Sequence, residues 1–170
     1  MDDATLHGGT PDGYAPLPQP DEVTKRERED GMGAYLMMFA SAALGAPLPI
    51  VNILAAVIYY FVNRNKGRFV RFHSYQSMMS QLVTGVLNSA LVIWGIIKLV
   101  NQHDDWRVFI GYAVMTGVVN LAYIVLSIIA AVRARRGQFF YFLLFGSWAY
   151  HAAYRLRPEH ETAAVNRPPS

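Results

Sequence analysis

Apolar residues along this chain gather in long runs, and short charged or proline-bearing breaks separate them. From Met32 to Val62 the chain is almost wholly apolar, interrupted by Gly45-Ala46-Pro47-Leu48-Pro49. One helix over that stretch would be roughly 45 Å long, well beyond a ~30 Å hydrocarbon core. Its two closely spaced prolines remove backbone donors and disfavour helix at the residues before them. The pattern predicts a tight hairpin with spans at 31–46 and 49–62; a single long, kinked span is the alternative. The segment 63–72, NRNKGRFVRF, precedes a third span at 74–100. The polar turn Asn101-Gln102-His103-Asp104-Asp105 and the interface anchor Trp106 precede a fourth at 107–132, which ends in Arg133, Arg135, Arg136 and Gly137. Both later runs are long enough to cross a bilayer.

The expected fold is all-α and integral to a membrane: a four-transmembrane-helix bundle with a C-terminal interfacial aromatic segment. That segment is 138–150, QFFYFLLFGSWAY, which is short for a span and basic on both flanks. An interfacial or partly re-entrant placement fits it, with its aromatic rings at headgroup level. The membrane domain runs over 25–155, and Lys25 to Asp30 starts a helix at the membrane surface. Residues 1–24, rich in Pro, Gly and Asp, and residues 156–170 read as disordered tails.

Charge adds direction. Residues 1–30 hold eight of the twelve acidic residues against Lys25, Arg26 and Arg28, whereas the remainder carries twelve Lys and Arg against four acids. The basic excess lies in short loops, above all Arg64, Lys66, Arg68 and Arg71, and Arg133 to Arg136. The positive-inside rule then places both of these loops and both termini in the cytoplasm, with the 101–105 turn outside. Three spans would instead place the acidic N-terminus outside. Basic charge in such loops orients a membrane protein and gives no soluble face for nucleic acid. The absence of cysteine excludes disulfides, thiolate metal sites and cysteine nucleophiles. Residues 1–30 also lack the basic-then-apolar order of a secretory signal.

Inside the spans, polar and small residues form stripes at helical spacing. His73, Ser77, Ser80, Gln81, Thr84 and Asn88 share one face of span three, continued by Gly95, Lys98 and Gln102. Thr116, Asn120, Tyr123 and Ser127 share one in span four, Asn52, Ala56, Tyr59 and Asn63 in span two, and Ala34, Ser41 and Gly45 in span one. Lipid offers no partner to an amide or hydroxyl, so the stripes are expected to face one another. The plain reading is interhelical hydrogen bonding and close packing; the sharper one is a polar path for a substrate. Because no carboxylate falls within a span, relays that depend on buried acids are disfavoured. Lys98, near a span end, is expected to snorkel to the surface. His73 either anchors its helix at the interface or meets a headgroup and reports pH. For His103, beside Asp104 and Asp105, a hydrophilic turn is a better account than a weak metal site, and His7, His151 and His160 lack ligand-like spacing. No nucleotide-binding, nucleophile-elbow or zinc-protease motif is present. Thus no catalytic residue, cofactor or metal is expected. Arg64, Lys66, Arg68 and Arg71, interleaved with Phe69 and Phe72, are candidate contacts for anionic lipid headgroups.

The order of these features resembles a known family. Pro49-Ile50-Val51-Asn52 leads into a basic turn, Arg68-Phe69-Val70-Arg71-Phe72-His73-Ser74-Tyr75-Gln76-Ser77 opens the third helix, and Arg133-Ala134-Arg135-Arg136-Gly137 closes the fourth. Over 31–150 this is similar to small bacterial relatives of the membrane subunit of the chloroplast inner-envelope import translocon, the Tic-type family. The resemblance implies a four-helix membrane domain and, in chloroplasts, a link to preprotein translocation. It singles out Phe72, His73 and Gln76, and less directly Asn52. Together with Ser80, Thr84, Asn88 and Asn120 these are the candidate interhelical contacts. The expected function is that of a non-enzymatic multi-pass scaffold or accessory subunit in a bacterial inner membrane, with a translocation pore or carrier as the alternative. The expected partners are membrane lipids and other membrane proteins or further copies of the chain, without nucleic acid.

Overall fold

The computed structural model describes residues 13–43, 49–101 and 105–156. The expected turn over Gly45 to Leu48, together with His7, Gln102, His103, Asp104 and His160, lies outside the described residues. Helix α1 (Lys25–Leu36) starts at a capping box: Thr24 accepts from the Glu27 amide, and the Glu27 carboxylate accepts from the Thr24 amide. A 3₁₀ turn (Met37–Phe39) and a short helix α2 (Ala40–Ala43) continue it. Helix α3 (Pro49–Asn63) has proline at its first position, where the missing N–H costs nothing. Helix α4 (Arg68–Val100) and helix α5 (Arg107–Arg135) are the long elements, and helix α6 (Gly146–Tyr154) follows an extended segment. The fold is all-α.

Helix α1 packs against both α4 and α5, α3 lies along α4, and α6 covers the first part of α4. Small residues set these distances. Ala130 and Ala134 of α5 are 0 % exposed and lie with Tyr35 and Phe69 in one core. At the α3–α4 crossing, a Cβ on Gly85 would strike the Ile53 side chain, so glycine there allows the helices to approach.

Helix α4 is about 50 Å long and changes character along its length. Its first half, Phe69 to Gln81, is largely buried in protein, whereas Val86, Val92, Ile93, Ile96, Leu99 and Val100 are exposed. Helix α5 exposes Val108, Val114, Val118, Leu121 and Ile128. These two are long and apolar enough to cross a membrane, and their most apolar stretches are only 6 % and 17 % buried within the protein. That exposure separates them from the core helices of a globular protein, whose apolar faces are covered. Helix α3 is a shorter apolar helix. Helix α4 begins ahead of the expected span at 74–100 and α5 ends beyond the one at 107–132, because a helix continues into its charged flanks where a hydrocarbon span stops.

Residues 13–24, which composition reads as part of a disordered tail, instead lie along the bundle. The Ala15 amide donates to the Tyr154 carbonyl (2.9 Å) and the Leu156 amide to the Gly13 carbonyl (2.9 Å). Ala15 and Val23 are each 2 % exposed. The segment finds its apolar partners on α6 and on the α1–α5 core, which a count of its own composition omits.

Candidate functional site

Gln76 joins three separate parts of the chain. Its side-chain amide donates to the Tyr35 hydroxyl (2.9 Å) and to the Phe140 carbonyl (2.9 Å), and its side-chain oxygen accepts from the Phe142 amide (3.1 Å). The Tyr35 hydroxyl lies 2.9 Å from His73 Nδ1. Because Tyr35 accepts from Gln76, its own proton is best used toward His73, which makes Nδ1 the acceptor. Gln76 and His73 are 0 % exposed and Tyr35 1 %. Phe69, Phe72 and Phe139 surround the imidazole, with centroids 4.5, 5.0 and 5.8 Å away. His73 is therefore an interior residue, neither an interface anchor nor a headgroup contact.

This arrangement solves a backbone problem. Residues 138–145 are not helical, and the polar groups of irregular backbone covered by protein need partners. Gln76 supplies a donor and an acceptor to adjacent parts of that segment. Phe72 seals the same join, with its ring 5.1 Å from both Phe139 and Tyr141. Leu143, Leu144 and Trp148 remain exposed at 100, 67 and 56 %.

The polar stripes meet in part. Asn88 and Asn120 exchange reciprocal amide hydrogen bonds of 2.9 and 2.8 Å between α4 and α5. Ser77 donates to the Ala34 carbonyl of α1 (2.7 Å), and Tyr112 of α5 to the Leu87 carbonyl of α4 (2.9 Å). Ser80 and Thr84 face inward but donate to carbonyls of their own helix, those of Ser77 and Ser80. Asn52, Gln81, Thr84, Asn88 and Asn120 line one groove of about 250 Å³. Asn63 bonds the Tyr59 carbonyl within α3, and Lys98 donates to the Asp105 carbonyl at the end of α4. Replacing either Asn88 or Asn120 with leucine leaves the other amide without its partner across the α4–α5 contact. The double substitution is expected to recover part of the loss, with a coupling of about 0.6–2 kcal/mol. A double-mutant cycle of unfolding in detergent measures it, and strict additivity would refute the pair.

The four candidate headgroup residues separate. Lys66 pairs with Asp30 at 3.1 Å. Arg71 donates through Nε to the Arg64 carbonyl (2.8 Å), and the Arg64 guanidinium sits 4.9 Å from the Phe61 ring centre. Arg64, Arg68 and Arg71 line a shared cleft with His151 and Arg155 of the α6 region. Reading the sequence alone missed Tyr35, which stood in an apolar run, and Arg155, which stood beside an expected tail. Neither carries a local signal, since each is defined by partners far along the chain.

Residues 29–148 match the magnetosome magnetite crystal formation protein family, MamF/MmsF. No curated protein and no solved structure matches the chain. The family match corrects the resemblance to the Tic-type translocon family. The segment that carried that resemblance, Arg68 to Ser77, is a packing unit in which Phe69 and Phe72 enclose His73 and Gln76 clamps a neighbouring strand of chain. Such a unit specifies a join between helices and does not identify a translocon. The match spans well over half of the chain, and the chain belongs to the MamF/MmsF family.

Proposed function

From that membership we propose that the chain is a non-enzymatic, multi-pass protein of the magnetosome membrane that serves as a scaffold where magnetite crystals form. The family match carries the reading. The use of the polar groups supports it: Gln76, His73, Tyr35, Ser77, Asn88 and Asn120 hold helices and backbone together, as a fixed architecture requires. The alternative of a translocation pore drew on the polar stripes and on the resemblance now corrected, and finds no support in the family match.

The same proposal includes four crossings with both termini on one side. Helices α1 and α2 with α3 form the hairpin, and α4 and α5 follow. Contacts gather the basic flanks at one end: Lys66 reaches Asp30 of α1, and Gly137 beyond α5 abuts Pro20 and Arg28. The positive-inside rule assigns that end to the cytoplasm. Deleting the gene in its host is expected to change the size or shape of magnetite crystals in electron micrographs, and restoring it is expected to reverse the change. Crystals identical to the parent's would sink the scaffold reading. Reporter fusions at each terminus are expected to show both in the cytoplasm, and opposite locations would replace four crossings with an odd number.

A further inference from the structure

The cleft between the α3–α4 turn and α6 has an unusual electrostatic make-up. Arg64 from the turn, Arg68 and Arg71 from the first turn of α4, and His151 and Arg155 from the α6 region line a space of about 880 Å³ with Tyr60. No carboxylate among the described residues lines it. The nearby acids are engaged elsewhere. Asp30 pairs with Lys66 (3.1 Å), while Glu27 holds Thr24 and borders a different cleft, which Arg68 also touches. Gathered like charges raise one another's energy unless an anion joins them.

The guanidiniums are also positioned. Arg71 is fixed by its bond to the Arg64 carbonyl, and Arg64 lies over the Phe61 ring. Helix α4 begins at this turn with no side-chain hydrogen bond to its first amides, and the Glu27 carboxylate lies beside Gly67 at that end. Arginine presents planar, forked N–H pairs that match phosphate oxygens two at a time.

We propose that this cleft binds a phosphate-bearing anion, either a lipid headgroup or free inorganic phosphate. Arg64, Arg68 and Arg155 make the direct contacts, and Arg71 supports Arg64 from behind. The fold thereby alters the set of residues suggested by the loop alone: Lys66 leaves it, neutralised by Asp30, and Arg155 enters from the far end of the chain.

The test uses the full chain. One arm titrates the detergent-solubilised protein with inorganic phosphate. The other arm releases the protein from nanodiscs of mixed phosphatidylcholine and phosphatidylglycerol and counts retained lipids by native mass spectrometry. Saturable phosphate binding or preferential retention of phosphatidylglycerol is expected, and the arm that responds names the source. The triple variant R64Q/R68Q/R155Q is expected to weaken that binding about tenfold or more. The control R133Q/R135Q/R136Q, with the same charge change outside the cleft, is expected to leave it intact. R64K/R68K/R155K keeps the charge without the fork and is expected to bind more weakly than the parent but measurably, which an unfolded variant would not do. Absence of binding in both arms, or an equal loss in the control, overturns the proposal.

Discussion

Replacing Gln76 with leucine is expected to destabilise the folded protein by roughly 2–5 kcal/mol and to release residues 138–145 from the bundle. Leucine fills similar space but offers neither donor nor acceptor. The Phe142 amide and the Phe140 carbonyl would then be stranded in a covered site, each at the cost of a buried, unsatisfied backbone group. Tyr35 would lose the donor that orients its hydroxyl toward His73. Thermal unfolding in mild detergent should show the lower stability. Limited proteolysis should show new cleavage within 138–145 well before cleavage elsewhere. An unchanged melting temperature with unchanged protease resistance would mean that aromatic packing alone holds the segment. Tyr35→Phe gives a graded companion: it removes the hydroxyl but leaves Gln76 its two backbone bonds, so the segment should stay docked.

The contrast between α5 and the 138–145 segment shows what can be read from residues alone. Helices α4 and α5 are legible because a long apolar run bounded by charge has few other solutions. The stripe carrying Asn88 and Asn120 is legible because an amide in such a run needs a partner, and the nearest stripe provides it. The backbone bonds of 138–145 are not legible, since their partner is the side chain of Gln76, more than sixty residues away. Ser80 and Thr84 satisfy the same inward spacing as Asn88, yet their short side chains reach carbonyls of their own helix first. Inward spacing therefore predicts which face is buried, but reach decides which residues bond across it. The basic cluster divides in the same way: four cations adjacent in sequence suggested one surface, and Asp30 removes Lys66 from it. Phe72, His73 and Gln76 do form a real unit, but its meaning is local, as a cage and clamp at one helix join.

Replacing Gly137 with valine tests the join between the end of α5 and residues 13–24, and a loss of about 2–4 kcal/mol is expected. Two separate effects act at this position. Gly137 has φ of 73°, in the left-handed region that β-branched residues avoid. It closes α5 with a Schellman pair, its own amide donating to the Ala134 carbonyl and that of Gln138 to the Arg133 carbonyl, both at 2.9 Å. A Cβ at this site would also stand 2.9 Å from the Pro20 carbonyl oxygen and 3.1 Å from Pro20 Cα. These are backbone atoms that Arg28 holds in place through its bond to the same carbonyl. Something must therefore shift, and the outer element has fewer contacts to lose. Hydrogen exchange is expected to rise across 13–24 while the middle of α5 stays protected. Gly137→Asn separates the two effects, because asparagine tolerates the left-handed region yet carries a Cβ. If the clash dominates, Asn and Val should loosen 13–24 alike; if the backbone angle dominates, Asn should stay near the parent. Parent-like exchange in both variants would show that residues 13–24 are not held against the end of α5.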